Sequence, residues 1–312
     1  MIISCGEALL DFFRIKGEGE GNLFKTVIGG SPLNVAVGVS RLGHSSAFLG
    51  KISRDMFGEE ITAFIKKENI SSRYLASTDL PTTLSFVDDT GGSPQYAFFG
   101  EGAADRSILP ADLPHDLEAD VKCLHFGSYS IVVSPTCESF YDLICREAAL
   151  RTMSLDVNVR LTVVPELDRW RFAVNQLLPY LDLIKASTED VGLLYPDSSP
   201  DQVARGWLEK GVIAALITDG ANGSRVYLDS DTAHVAAVAT SMVDTVGAGD
   251  TFQSGLLTKL DELGVLEKQK LKHATLEDFK SAMHFGAVAA AITCSRQGAD
   301  LPFRSEVDAL IA

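Results

Sequence analysis

Short, almost unbroken apolar runs separated by longer stretches of helical periodicity constrain this chain more than any other feature. The runs fall at residues 2–5, 47–50, 123–126, 153–157, 181–185 and 214–218. A strand buried on both faces reads as continuously apolar, whereas a half-exposed one alternates. Helical patterns occupy the intervals at 32–42, 59–68, 136–150, 169–178, 201–210, 251–263 and 276–293. Strand–helix alternation of this kind predicts an α/β fold with a doubly wound, mostly parallel sheet and right-handed crossovers. Ligands of such sheets bind beyond the carboxyl ends of the strands, so chemistry is to be sought just after each run.

Two stretches break the rhythm. Residues 12–27 carry a polar centre, Gly17-Glu18-Gly19-Glu20-Gly21. Between 82 and 100, Thr83-Leu84-Ser85-Phe86-Val87 and Gln95-Tyr96-Ala97-Phe98-Phe99 flank the turn-forming Asp88-Asp89-Thr90-Gly91-Gly92, a hairpin signal. Both predict a small β-element attached to the main body. No internal repeat is visible, and the charged stretch 267–273 reads as solvated surface.

Composition excludes several classes. The chain has 312 residues, 46% of them hydrophobic, which is enough for one large core and excludes disorder. No apolar run approaches a membrane span. The start, Met1-Ile2-Ile3-Ser4-Cys5-Gly6-Glu7, lacks the basic segment of a signal peptide. A net charge of −15 argues against nucleic-acid binding. Five cysteines without a C-x-x-C pair argue against a disulfide framework or zinc ribbon and make the cytoplasm the expected compartment. No Walker A loop, helix-opening G-x-G-x-x-G or H-E-x-x-H is present.

The strongest motif is Asp244-Thr245-Val246-Gly247-Ala248-Gly249-Asp250-Thr251-Phe252, followed by a helical pattern. Glycines leading into a helix leave backbone N–H groups unpaired at the positive end of the helix dipole, which makes an anion hole. Asp250 sits at its rim. A carboxylate there repels phosphate unless it has work to do, and phosphoryl transfer supplies that work. The acid takes the attacking hydroxyl's proton while Gly247, Ala248 and Gly249 hold the transferring charge. The competing explanation is a glycine-rich turn with Asp250 as a helix cap.

This segment resembles the C-terminal signature of the ribokinase-like (PfkB) family of carbohydrate and nucleoside kinases. The family's N-terminal signature is also matched, by Gly29-Gly30-Ser31-Pro32-Leu33-Asn34-Val35-Ala36 running to Arg41-Leu42-Gly43. The resemblance covers essentially the whole chain. It implies one ribokinase-like kinase domain over 1–312, with a β-lid formed by about 12–27 and 82–106. It implies ATP and Mg²⁺ and leaves a monovalent cation such as K⁺ open.

The same resemblance assigns residues. Gly29, Gly30 and Asn34 would contact the sugar, and Asn34 offers both a donor and an acceptor. Asp11 would accept sugar hydroxyls. Arg160 ends Asp156-Val157-Asn158-Val159-Arg160, where strand alternation puts Asp156, Asn158 and Arg160 on one side. It would lie near the phosphates, and a plain Asp156–Arg160 ion pair is the alternative. Lys185, Ser187, Thr218, Gly220, Gly223 and Gly286 would border the nucleotide. Ser187 stands where the family often has Asn, and Glu189 or Asp190 would orient Mg²⁺ through water. Ser187 with Asp190 also fits a helix-capping box. The turn from Thr218 to Gly223 also reads as an ordinary hairpin turn, and Gly286 as a helix-packing residue.

The lid segment, with Phe98 and Arg106 as substrate-binding candidates, most resembles bacterial fructokinases. Glu101, next to Gly100 where ketodeoxygluconate kinases often carry Arg, disfavours a sugar acid. The expectation is transfer to O6 of fructose, with 2-keto-3-deoxygluconate kinase as the alternative and a non-catalytic sugar-binding regulator as a remote one. The apolar hairpin edge suits a homodimer through the lid.

Overall fold

The computed structural model describes residues 1–15, 23–88 and 95–311. In chain order its strands and helices are β1 (Ile2–Cys5), β2 (Leu9–Ile15), β3 (Leu23–Gly29), α1 (Ser31–Arg41), β4 (Ser46–Ser53), α2 (Met56–Lys67), β5 (Leu75–Thr78), β6 (Leu84–Asp88) and β7 (Gln95–Phe99). They continue through β8 (Cys123–Gly127), α3 (Thr136–Glu147), β9 (Thr152–Asp156), α4 (Leu167–Leu177), β10 (Leu183–Ser187), α5 (Thr188–Leu194) and α6 (Pro200–Leu208). The last are β11 (Ala214–Thr218), β12 (Ser224–Tyr227), β13 (Thr232–Val235), α7 (Ala248–Glu262), α8 (Lys268–Leu271), α9 (Leu276–Cys294) and α10 (Arg304–Ile311).

Nine strands form the main sheet, in the order β13-β12-β11-β10-β9-β8-β1-β4-β5. From β11 to β5 every pairing is parallel; β12 and β13 close one edge antiparallel. The central strands are buried on both faces, which is why they read as unbroken apolar runs. Period-two alternation divides them between two layers. Ile3, Leu124 and Leu155 pack with Phe140 of α3, Trp170 of α4 and Trp207 of α6. Ile2, Leu183 and Leu216 pack with Val35 of α1, Leu256 of α7 and Met283 of α9. Helices α7 and α9 cross closely: a Cβ on Gly286 would stand 2.7 Å from Phe252 O, and one on Gly255 2.7 Å from Gly286 Cα. The helix-packing explanation of Gly286 therefore has direct structural support.

The small sheet is separate and runs β3-β2-β6-β7. Its strands begin at Leu9, earlier than the predicted boundary, and β6 and β7 pair antiparallel as a hairpin. The predicted centre at Gly17–Gly21 and turn residues 89–92 lie outside the described residues. One face carries Asp11, Ser85 and Phe98 side by side across β2, β6 and β7. The other carries Phe12, Phe24, Phe86 and Phe99, with Phe12 stacked on Phe86 at 4.7 Å and Phe99 62% exposed.

The stretch 267–273 is not wholly solvated. It holds α8, whose Leu271 is buried and whose Lys268 pairs with Asp182 at 2.7 Å. Among the described residues no helix is long and apolar enough to cross a membrane.

Candidate active site

The starts of α1 and α7 meet at one carboxylate. Asp250 lies in the first turn of α7 and is 7% exposed. Ser31 Oγ donates to its Oδ1 at 2.6 Å, and Asn34 Nδ2 to its Oδ2 at 2.8 Å. Burial lifts this carboxyl above its ordinary value, against the pull of Ser31, Asn34, Arg160 and Lys185. The helix starts at Ala248, three residues before the predicted start, so Asp250 is inside the helix rather than ahead of it.

The glycines are required by backbone geometry. Gly247 is left-handed (φ 77°), and a Cβ on it would stand 2.6 Å from Ala299 Cβ and 2.9 Å from Ala299 Cα. Its loop is tied to the Ser295–Ala299 loop a second time, by Gly298 N–H donating to Asp244 Oδ2 at 2.8 Å. Ala248 N–H already donates to Thr245 O. Those of Gly249 and Asp250 have no partner among the described residues, as first-turn amides do not unless capped. Of the predicted anion-hole donors, Gly249 N–H is therefore free and Ala248 N–H is not, while Asp250 N–H joins the free set. Gly30 has φ 111°, and a Cβ there would stand 2.5 Å from Glu7 O. The space beside Gly29 belongs to Asp11, whose Oδ2 would lie 2.7 Å from a Cβ.

Asp11 lies beside Gly29 at the base of the small sheet. Burial pushes its carboxyl up to about 6, opposed by a hydrogen bond from Ser85 and by the charge of Arg160. Arg160 acts on both Asp11 and Asp250, so the two acids share one cation. The alternative Asp156–Arg160 pair does not form, because alternation stops at the end of β9, where Asn158 turns left-handed (φ 41°). Arg160 is exposed and donates to Val159 O. Asp156 pairs instead with Lys185, its register neighbour on β10, at 2.6 Å.

On the far side of β10, Ser187 caps α5 with Asp190 in a reciprocal box. Asp190 also accepts from Val159 N–H at 2.9 Å. Its carboxylate is largely committed to backbone, while Glu189 is exposed. Thr218 pairs in register with Ser187. The Thr218–Gly223 turn joins the antiparallel pair β11 and β12; a Cβ on Gly223 would stand 2.2 Å from Val235 O, whereas Gly220 borders open space. Asp11, Asp156, Asp190 and Asp250 outnumber Lys185 and Arg160 around this end of the sheet. That hard, anionic oxygen set suits a Mg²⁺ ion held through water and substrate phosphates rather than in a protein cage. Among the described residues no group of three or more ligating side chains forms such a cage.

At the small sheet, Arg106 lies between the rings of Phe98 and Tyr129, 5.2 Å from each centroid. Its guanidinium fills the space a Cβ on Gly100 would need, and its buried Nε has no partner. Glu101 is exposed. Asp105 accepts from Thr83 Oγ1 and from Tyr129 OH at 2.8 Å, which ties the small sheet's base to the main sheet. Nearby, Glu7 is fully buried, bonded by Ser130, and pushed up to about 7 by desolvation.

Sequence reasoning missed Ser31, Asp105, Tyr129, Glu7 and the Asp156–Lys185 pairing. Ser31 stands inside a recognised motif and was within reach. The pairing depends on β9 and β10 being neighbours, which no local pattern encodes.

A family model described as pfkB family carbohydrate kinase matches residues 1–306. A fructokinase of Rhizobium leguminosarum bv. trifolii is 37% identical over 272 residues, covering 87% of this chain and 83% of that one. Probable fructokinase-7 of Arabidopsis thaliana is 32% identical over 321 residues, covering 99% and 91%. Among solved structures, the fructokinase of Xylella fastidiosa with bound ATP superposes at a TM-score of 0.91, with 26% identity, covering 99% of this chain and 97% of that one. A Vibrio cholerae O395 fructokinase with fructose, ADP and potassium ion bound shares the fold at a TM-score of 0.87, with 24% identity, covering 100% and 98%.

Proposed function

The chain belongs to the pfkB family of carbohydrate kinases, ATP-dependent sugar phosphotransferases, and from that premise we propose that it phosphorylates fructose at O6. The observation that carries the reading is the buried Asp250, set beside unpaired helix amides and sharing Arg160 with Asp11. Fructose binds Asp11, Asn34 and the Gly29–Gly30 backbone. Ser85 and Phe98 lie on the Asp11 face of the small sheet, which acts as a lid within a single kinase domain.

ATP lies across the Gly247–Asp250 turn and the Thr218–Gly223 turn, bordered by Lys185 and Ser187, with its adenine toward the Ser295–Ala299 loop. Of Glu189 and Asp190, the exposed Glu189 would hold Mg²⁺ through water, where it neutralises phosphate charge, since Asp190 is largely committed to backbone donors. Each carboxylate oxygen has room for two donors, so Asp250 can receive the sugar hydroxyl while keeping Ser31 and Asn34. It takes the hydroxyl proton as the phosphoryl group moves in line. Closing the lid excludes water, the competing acceptor.

A neutral acceptor is favoured by Asp11. Two like charges about 4 Å apart repel by about 4 kcal/mol at an effective dielectric near 20, and a sugar acid would meet that repulsion. The second reading is a 2-keto-3-deoxygluconate kinase, and the unpartnered Nε of Arg106 is the observation in its favour. Steady-state kinetics with MgATP and added K⁺ against fructose, 2-keto-3-deoxygluconate, ribose and adenosine decides. Fructose should lead in kcat/KM by about tenfold or more, a 1.4 kcal/mol difference at the transition state. A higher value for another acceptor overturns the choice of fructose. Sugar binding without turnover of any acceptor would favour a regulator.

The outward aromatic face of the lid supports a homodimer, since Phe24 and Phe99 leave apolar surface in water. Light scattering should give twice the chain mass, and Phe99→Glu should halve it. A monomeric parent would remove this part of the proposal.

A further inference from the structure

The Lys185–Asp156 ion pair is buried more deeply than a surface contact needs, with side chains 5% and 2% exposed. Burying two opposite charges seldom stabilises a fold better than an apolar pair would. A pair kept in such a place points to another use. The Lys185 ammonium lies 3.6 Å from the position of a Cβ on Gly249, directly behind the first turn of α7. It gives one hydrogen bond, to Asp156 Oδ2, and no other among the described residues. A lysine has three donors, so two remain. Asp156 Oδ1 is buried and also without a partner. The carboxylate thus grips the ammonium from behind with one oxygen and leaves its front uncommitted.

We propose that Asp156 is a positioning residue for phosphoryl transfer, holding Lys185 rigid so that the transferring group meets a fixed positive charge beside the Gly249 and Asp250 amides. This rests on the sugar-kinase reading of the site. A lysine on a four-carbon stem is mobile unless something pins it. A charge already in place needs no reorganisation as the reaction proceeds, which is where electrostatic catalysis is strongest. Burial lifts the Asp156 carboxyl to about 6, with Asp190 and Asp250 adding to the lift and Lys185 opposing it. The ammonium acts on both Asp156 and Asp250, and its one hydrogen bond among the described residues is to Asp156.

The test is a cycle of Asp156→Asn, Lys185→Met and the double variant, assayed with MgATP and fructose and titrated by calorimetry with the Mg²⁺ complex of a non-hydrolysable ATP analogue that keeps the γ-phosphate. D156N should lower kcat about 10²-fold, comparable to losing one preorganised donor, with the fructose KM unchanged. K185M should do the same, and the double variant should be no worse than K185M. Affinity for the analogue should fall by similar factors in all three. A D156N kcat within threefold of the parent overturns the proposal, and so do losses that multiply in the double variant. If the parent turns over no sugar, the kinase reading fails separately and the analogue titrations still decide: unchanged affinity in D156N refutes the positioning role, and equal loss in the three variants upholds it. Should D156N not fold, Asp156→Glu replaces it. That variant keeps the charge but displaces the ammonium, and kcat should fall about tenfold at an unchanged melting temperature. A parental kcat in D156E overturns the proposal.

Discussion

Asp250→Asn should reduce kcat by about 10³-fold or more, near the upper range for removal of a general base, while fructose affinity changes by only a few fold. Asparagine keeps the shape and can still accept from Ser31 Oγ. It cannot accept from Asn34 Nδ2 at the second position, because two amide nitrogens would face each other at the 2.8 Å contact. That mismatch accounts for the modest effect on binding. The loss in kcat has a different origin, since an amide cannot take the hydroxyl proton. The pH profile separates the two. Burial holds the Asp250 carboxyl above the ordinary carboxylate range, and the base works only when ionised. Parental kcat/KM should therefore fall as pH drops through that raised value, and the residual rate of the variant should lack this limb. Parental turnover by D250N would refute the assignment of the base.

Gly247→Val should be nearly as damaging, through the backbone. A left-handed conformation costs a residue with a Cβ about 1–2 kcal/mol, and more when it is β-branched. The added atoms also meet Ala299, whose Cα would stand 2.9 Å from the new Cβ. A backbone atom cannot rotate aside, so the two loops must part. Their separation moves the free amides of Gly249 and Asp250 away from the phosphates. Expected are a lower melting temperature and a loss of about 10²-fold in kcat/KM for ATP, the scale of one missing anion-hole donor. Scanning calorimetry and an ATP titration measure both. A parental KM for ATP would show that Gly247 does not shape the nucleotide site.

Legibility followed physical locality. The central strands were readable because burial on two faces leaves an unbroken apolar signature; β1 and β11 match their predicted bounds. The short outer strands β5 and β13 carry mixed, partly exposed residues and gave no such signal. Helix starts were less readable than helix bodies. The start of α7 was displaced because Gly247-Ala248-Gly249 has poor helix propensity, although the helix dipole at that end is what the site uses.

Within the site, Asp250 and Asn34 stood out because each belongs to a contiguous motif with its own chemical logic. Their hydrogen bond to each other did not, since it joins elements far apart in sequence. The Asp156–Arg160 alternative failed for a specific reason. Period-two reasoning assumes that the strand continues, and the backbone turns at Asn158. Glycines were read as room for a ligand, yet much of that room is filled from within, by Asp11 at Gly29 and Glu7 O at Gly30.

The partners of Asp250 lie 219 and 216 positions earlier in the chain. During synthesis, therefore, Ser31 and Asn34 leave the ribosome long before the residue they are to hold exists. No half-made polypeptide can contain this constellation, and neither half of a cut one could assemble it alone. Contacts this far apart form slowly and late, after the loop between their ends has closed. Activity regained during refolding should consequently report the joining of the two ends of the molecule, an event that growth of helical signal alone would miss.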